Sequence, residues 1–276
     1  MTNTGKERID VLLVERGFYD SREKAKKALM AGLVLVDNEP LDKSGMKVLR
    51  TADIKVKGAL HPYVSRGGLK LEKAIRSFNL DLKERVMLDI GASTGGFTDC
   101  ALQHGASYVY AIDVGTNQLD WSLRSHEQVK VMEKTNFRYL QPEQLEGPPP
   151  TFASIDVSFI SLKLILPTLS TLISEGAGIV ALIKPQFEAG REKVGKSGVV
   201  RDAGVHQDVL ETVLGYASSI GYKLHDLTFS PITGGEGNIE FLAYWTWDGA
   251  SDREVIDADS LRQVVKEANA TFKLNK

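Results

Sequence analysis

Residues 88–98, Leu88-Asp89-Ile90-Gly91-Ala92-Ser93-Thr94-Gly95-Gly96-Phe97-Thr98, pass from an apolar run into a glycine-rich turn and on into a helical pattern. Glycines at such a turn let the backbone approach a ligand, and the free N–H groups of the helix that follows favour polar, negatively charged groups. A dinucleotide fingerprint would read Gly-x-Gly-x-x-Gly. Here the order is Asp-x-Gly-x-x-x-Gly-Gly, with an acid two residues before the first glycine. That acid would repel a pyrophosphate but suits the cationic amino-acid end of S-adenosylmethionine. The expected cofactor is therefore S-adenosylmethionine, held by Asp89, Gly91, Ala92, Ser93, Thr94, Gly95, Gly96 and Phe97. The next apolar run ends at Asp113, where an acid typically accepts hydrogen bonds from ribose hydroxyls. Asn136, just after the third run, is expected to meet the adenine or its surroundings. Cys100, on the helix beyond the turn, reads as a small buried hydrophobe.

Working outward, strand and helix patterns alternate from Val86 to the end of the body. Strands are expected at Val86–Ile90, Tyr108–Asp113, Val129–Glu133, Phe152–Asp156, Gly178–Ile183, Leu224–Phe229 and Glu240–Trp247, with helices between most of them, including Leu162–Ser174 and Val205–Ile220. Alternation of this kind predicts an α/β protein with a mostly parallel, Rossmann-like sheet. The last two strands are joined by Pro231-Ile232-Thr233-Gly234-Gly235-Glu236-Gly237-Asn238, a loop with no helical pattern, so the last strand should run antiparallel. Such an ending is typical of methyltransferases. A further helix is expected over Ser260–Phe272.

Ahead of this body lies a small α+β head. Arg8–Arg16 carries Ile9, Leu12 and Leu13 at helical spacing, and Ser21 can cap a second helix, Arg22–Ala31, stopped by Gly32. Leu33–Val36 and Ile54–Val56 read as strands around a turn at Asp37-Asn38-Glu39-Pro40. The expected organisation is a head over residues 1–57, a linker over 58–66, a catalytic body over 67–249 and a tail over 250–276. Charge divides the same way: residues 1–76 hold 16 lysines and arginines against 10 acids, while the rest hold 18 against 26. A basic head on an acidic body implies a polyanionic partner for the head. A single cysteine excludes a disulfide framework and a cysteine-cluster metal site, and no metal is expected. No run approaches the ~20 apolar residues of a membrane span. The first residues lack the apolar core of a secretory signal, so the expected setting is the cytoplasm.

Four charged residues sit where core packing would not choose them. Asp156 and Lys184 end the fourth and fifth strands, Glu240 opens the seventh, and Lys70 follows Ser65-Arg66-Gly67-Gly68-Leu69. Carboxyl ends of strands in an open α/β sheet line the ligand crevice, so Asp156 and Lys184 should converge. A ribose hydroxyl is a weak nucleophile and must lose its proton as it attacks a sulfonium methyl. Lysine with an ordinary pKa, about 10.4, cannot take that proton. Desolvation and a second nearby cation lower it. Either Lys184 is the base, or both lysines stabilise the forming alkoxide electrostatically.

The glycine motif, Asp156-Val157-Ser158-Phe159-Ile160-Ser161, Lys184-Pro185-Gln186-Phe187-Glu188 and Gly237-Asn238-Ile239-Glu240 resemble the FtsJ-like 2′-O-methyltransferases, and among them the TlyA family most closely. The resemblance spans roughly residues 6–247, including the domain order. It implies a Lys-Asp-Lys-Glu catalytic tetrad at Lys70, Asp156, Lys184 and Glu240, and ribose methylation of cytidine in ribosomal RNA of the large and sometimes the small subunit. The head resembles the S-four-type RNA-binding domain through Arg8-Ile9-Asp10, Ser21-Arg22-Glu23-Lys24-Ala25-Lys26-Lys27 and Gly32-Leu33-Val34-Leu35-Val36. Arg22, Lys26 and Lys27 share a helix face suited to phosphates. The expected RNA contacts are Arg8, Arg22, Lys26, Lys27 and Arg66, with Lys193 and Lys196 in a glycine- and lysine-rich loop placed to close over substrate. The expected partners are ribosomal RNA or ribosomal subunits. Some relatives carry a hemolysin label, but a membrane-active protein needs an amphipathic or spanning element, which the sequence does not display. A non-catalytic RNA-binding module is the other alternative, and the intact tetrad and glycine turn speak against it.

Overall fold

The computed structural model describes residues 5–19, 21–30, 32–56, 61–249 and 257–273, and the chain divides into two compact units, Met1–Pro62 and Tyr63–Lys276. Ala31, part of the expected linker (58–60) and part of the expected tail (250–256 and 274–276) lie outside the described residues.

The first unit runs β1 (Lys6–Arg8), α1 (Ile9–Glu15), α2 (Arg22–Met30), β2 (Val34–Val36), β3 (Glu39–Pro40), β4 (Lys47–Leu49) and β5 (Ile54–Val56). Ile9, Leu12 and Leu13 of α1 bury against Ala25, Ala28 and Leu29 of α2 and against Val34 and Ile54. The expected turn at residues 37–40 is shorter in the structure. Asp37 and Asn38 both take left-handed backbone, with φ of 52° and 69°, the conformation of a two-residue hairpin turn. Glu39 and Pro40 therefore already pair with β2. The three-residue strands β1 and β4, which pair antiparallel, are too short for any alternation to show in the sequence. Asp10 is fully buried and accepts hydrogen bonds from Arg8 Nε at 2.9 Å and Arg22 Nη2 at 2.8 Å. Burial pushes its carboxyl up, but the two guanidinium groups outweigh burial and hold it at about 2.

The second unit contains α3 (Gly67–Ser77), β6 (Val86–Ile90), α4 (Gly96–Gln103), β7 (Tyr108–Ile112), α5 (Trp121–Arg124), β8 (Val129–Met132), β9 (Phe152–Ile155), α6 (Leu166–Leu169), β10 (Gly178–Ile183), α7 (Pro185–Glu188), α8 (Ala203–Ser219), β11 (Tyr222–Phe229), β12 (Phe241–Trp247) and α9 (Ala258–Lys273). Its strands form one sheet in the order β11-β12-β10-β9-β6-β7-β8. Strand β12 is antiparallel to both neighbours, and the remaining pairs are parallel. This is the mostly parallel sheet with an antiparallel last strand that the alternation predicts. Both faces of the central strands are covered, so β6, β9 and β10 are buried throughout and read as nearly continuous apolar runs. In β10, Ile179, Ala181 and Ile183 enter a core built with α8 and α9. Val180 and Leu182 of the same strand enter the opposite core, built with α3 and α4.

One expected helix is absent in the form predicted. The apolar spacing over Leu162–Ser174 gives a 3₁₀ turn at Leu162–Leu164 and then only the four residues of α6. Pro167 is the reason: it has no N–H for the carbonyl of Lys163 and so opens a new helix rather than extending one. That carbonyl accepts the Tyr216 hydroxyl instead, at 3.1 Å. Among the described residues, no helix is long and apolar enough to cross a membrane.

Candidate active site

The sheet order places three of the four expected charged residues at one edge. Asp156 follows β9, Lys184 follows β10 and Glu240 precedes β12. β10 lies between β9 and β12, and Ile183 sits opposite Phe241. Because β12 runs antiparallel, its first residue emerges where β9 and β10 end. Lys70, on the first turn of α3, reaches the same point. Its Nζ donates to Glu240 Oε2 at 2.7 Å and to Asp156 Oδ2 at 3.2 Å. Lys184 Nζ lies 2.5 Å from the other Asp156 oxygen, Oδ1, and donates to Ser158 Oγ at 3.2 Å. Asp156 thus bridges the two lysines, and Lys70 bridges the two acids.

Lys70, Lys184 and Glu240 are buried, and each is paired within the cluster, as buried charged groups must be. Burial alone would push Lys70 below the ordinary lysine range. The charges of Asp156 and Glu240 outweigh it and hold Lys70 above that range. Burial likewise raises Asp156, and Lys70 and Lys184 outweigh it and hold the carboxyl low. The expectation that two cations sharing a site would depress a lysine is therefore corrected for Lys70: its nearest charges are carboxylates, and it stays protonated.

The glycine turn faces the same space. Gly91 has φ +86°, and a Cβ built there would lie 2.6 Å from the Asp156 carbonyl oxygen, so the turn packs directly against the strand end that carries Asp156. A cavity of about 670 Å³ is lined by Gly91, Ala92, Ser93, Gly96 and Phe97 on one side and by all four charged residues on the other. Thr94, Gly95 and Asp113 are outside that lining. Gly95 caps α4 in left-handed backbone, φ 96°. Asp113 accepts the backbone N–H of Ser93 at 2.8 Å and of Gly115 at 2.7 Å, which fixes the turn while leaving its other lone pairs available.

Two expected cofactor contacts are revised. Asp89 is fully buried. It accepts the hydroxyls of Thr98 at 2.6 Å and Ser154 at 3.0 Å rather than facing the cavity. Burial raises its carboxyl to about 6, the two hydroxyls offsetting part of the effect. Asn136 spends its side-chain oxygen on capping a 3₁₀ turn through the N–H of Arg138, at 3.2 Å, and does not line the cavity. Short polar side chains after a strand cap the following turn readily, which the sequence alone does not separate from ligand binding.

The expected RNA contacts fare differently. Arg66 lines the cavity itself. Lys193 pairs with Asp208 at 2.9 Å, and Lys196 is exposed. Their loop also supplies Val194 and Gly198 to the lining. Buried Asn238 ties it down, accepting from the Val200 N–H at 3.1 Å and donating to the Gly198 and Gly235 carbonyls at 2.9 and 3.0 Å. In the first unit Lys27 is exposed and Lys26 half-buried, whereas Arg8 and Arg22 are committed to Asp10.

Sequence reasoning misses several cavity residues. Phe159 is 90% exposed with φ +62°, an unfavourable backbone for a bulky residue. Its ring lies 4.9 Å from that of Phe187. Glu188 braces this arrangement by accepting from Ser161 Oγ at 2.6 Å and the Leu162 N–H at 2.8 Å. Ser158 and Gln186 complete the same wall. Their only signal in the sequence is adjacency to Asp156 and Lys184. Cys100 is buried, and burial pushes its thiol up to about 12, which suits packing and not reactivity.

A model of the FtsJ-like methyltransferases matches residues 63–246, and one of the S4 domain matches residues 7–54. The chain is 55% identical over 272 residues to YqxC of Bacillus subtilis, provisionally named an rRNA methyltransferase, covering 98% of this chain and 97% of that protein. It is 39% identical over 262 residues to a Mycobacterium tuberculosis protein named 16S/23S rRNA (cytidine-2′-O)-methyltransferase TlyA, covering 95% and 96%. A solved Streptococcus thermophilus structure with a provisional hemolysin name is 51% identical, with a TM-score of 0.78 over 99% of this chain and 98% of that one.

Proposed function

This chain belongs to the TlyA family of FtsJ-like methyltransferases with an N-terminal S4 domain, and from that premise we propose that it moves a methyl group from S-adenosylmethionine to the ribose 2′-hydroxyl of a cytidine in ribosomal RNA. One observation carries the reading: a single cavity is lined by the glycine turn and by the buried Lys70–Asp156–Lys184–Glu240 cluster. Gly91, Ser93 and Gly96 would hold the cofactor, which when bound supplies an electrophilic methyl group. The side chains across the cavity then act on the acceptor.

Lys70 is held charged by two carboxylates, so it is not the base. It fixes Asp156 and Glu240, and through Asp156 it fixes Lys184. Lys184 Nζ, as a neutral amine, would orient the 2′-hydroxyl and take its proton as that oxygen receives the methyl group. The charge developing on the oxygen is met by a preorganised cluster that needs no rearrangement. Exposed Phe159 beside Phe187 offers an aromatic face on which an unstacked base can lie, the usual way in which single RNA bases are held. The basic S4 unit and Arg66 would meet the phosphates of the RNA, and the substrate is either free ribosomal RNA or an assembled subunit in the cytoplasm.

The test is to map ribose 2′-O-methyl marks in ribosomal RNA from a strain lacking the gene, then to restore wild type, Lys184→Ala or Lys184→Arg. A cytidine mark should vanish on deletion and return only with wild type. Positioned general-base catalysis contributes roughly 10²–10⁴-fold, and arginine carries a fixed positive charge but cannot accept a proton. Both variants should therefore lose at least about a hundredfold in rate while still binding cofactor. An active Lys184→Arg variant would replace the base by pure electrostatic stabilisation. The absence of any missing mark in the deletion strain would end the reading.

A further inference from the structure

The segment that carries Phe159 is held at both ends by residues of one short stretch, Lys184 and Glu188. At its start, Ser158 Oγ accepts from Lys184 Nζ at 3.2 Å. At its end, Ser161 Oγ and the Leu162 N–H donate to Glu188 at 2.6 and 2.8 Å. Between these anchors stands Phe159 in left-handed backbone, φ +62°, which is costly for a bulky side chain and persists only where the surroundings impose it. Phe159 is 90% exposed, so packing contributes little beyond its ring contact with Phe187. The hydrogen bonds at the two ends therefore set the bend. Glu188 closes α7 and is half-buried. Burial pushes its carboxyl up, and the Ser161 hydroxyl, the Leu162 N–H and the charge of Lys163 work against that. It is not part of the cavity lining, whereas Ser158, Phe159 and Phe187 are.

We propose that Glu188 is a positioning residue for methyl transfer: by gripping Ser161 and Leu162 it keeps Phe159 turned outward as the face on which the target base lies, and so aligns the ribose with Lys184. This rests on the ribose-methylation reading above and adds to it what holds the base platform in place. Glu188 acts through Phe159 and not on the cofactor. Without it the segment relaxes toward commoner backbone angles, and the ring leaves the position it shares with Phe187. The nucleotide then binds without being aligned, and alignment is where positioning contributes to rate.

The experiment uses the full chain with ribosomal subunits from a strain lacking the gene, and with free ribosomal RNA extracted from them. Single-turnover methylation rates are measured at saturating substrate. Glu188→Met keeps the side-chain size without the acceptors. Glu188→Gln keeps an acceptor for the Leu162 N–H and offers an amide N–H to Ser161 Oγ. Phe159→Ala is made alone and together with Glu188→Met. Glu188→Met should lose about 10- to 100-fold in rate, the range for hydrogen bonds to a charged group, with Glu188→Gln within about threefold of wild type. In the Phe159→Ala background, Glu188→Met should cost less than about threefold more, because residues that act as one unit do not add. Cofactor affinity, read by calorimetry, should be unchanged throughout. A Glu188→Met enzyme as fast as wild type overturns the assignment. So does a full further loss in the Phe159→Ala background, or a cofactor affinity lowered about tenfold, since either marks a general structural role. A Glu188→Gln enzyme as slow as Glu188→Met overturns it by giving the effect to the charge. A Phe159→Ala enzyme as fast as wild type removes the platform, and the assignment with it, while leaving ribose methylation standing. A wild type that places no 2′-O-methyl mark on either substrate overturns both.

Discussion

At the scale of single residues, the site is governed by how buried charges are paired. Lys70 and Lys184 have the same side chain, yet Lys70 has two carboxylates within hydrogen-bonding distance, Asp156 and Glu240, while Lys184 shares Asp156 and a neutral hydroxyl, Ser158. The different roles proposed for them rest on that asymmetry. Asp89 shows the opposite balance, a carboxyl that meets the hydroxyls of Thr98 and Ser154 and is held at about 6 by burial. Its folded pKa lies above the unfolded one, near 3.8, so the stability tied to its neutral form is present below about pH 4 and is lost as pH rises through 6. A cationic cofactor above the turn favours the ionised acid, so affinity for S-adenosylmethionine should rise between pH 5 and 7, by a few-fold to about tenfold. Calorimetry across that range, with Asp89→Asn as the flat control, would expose the effect; equal slopes in the two proteins would rule Asp89 out as its source.

At the scale of elements, the turn between β6 and α4 does two things at once. It bares backbone toward the cavity, and it seats the turn against the Asp156 carbonyl. Gly91→Ala should therefore combine the left-handed backbone penalty with an approach of 2.6 Å to main chain that has no room to yield. A stability loss of about 2–3 kcal/mol is expected in denaturant titrations. Gly176 supplies the comparison, since its φ is +74° but a Cβ there meets nothing within 4 Å. Gly176→Ala should cost only about 1 kcal/mol. Equal losses in the two would mean that the approach to Asp156 is not tight. The split of the expected 162–174 helix belongs to this scale as well: the apolar residues do pack inward, but Pro167 and the Tyr216 hydroxyl decide where the hydrogen bonds go.

At the scale of the whole molecule, the second unit carries its own two-faced core and the entire cavity, whereas the first supplies exposed cations on a small core of its own. A chain beginning at Tyr63 should accordingly bind cofactor with affinity close to that of the full chain and bind ribosomal RNA far more weakly. Each phosphate that the protein neutralises adds roughly 0.7–0.9 to the steepness with which log K falls against log salt. Without Lys26 and Lys27, which are not committed to Asp10, that slope should be shallower by about one and a half to two. Filter binding at several salt concentrations measures it, and an unchanged slope would show that the head does not touch the phosphates.

The sequence by itself determined the sheet, the order of its strands along the chain, the antiparallel ending and the candidate positions at strand ends, because apolar runs, glycines and turn residues act locally and leave local marks. It also displayed the charged residues that a two-faced core would exclude. Only the tertiary structure decided what those charges do to one another. Lys70 and Glu240 are 170 positions apart in the chain and 2.7 Å apart in space, and whether a lysine's proton is held or released depends on which groups surround it in three dimensions. The same holds for Asp89 turning inward, Asn136 serving as a cap, the left-handed bend that pushes Phe159 outward and the Glu188 contacts beside it. Pairing and desolvation are properties of neighbours, and neighbours exist only once the chain has closed on itself.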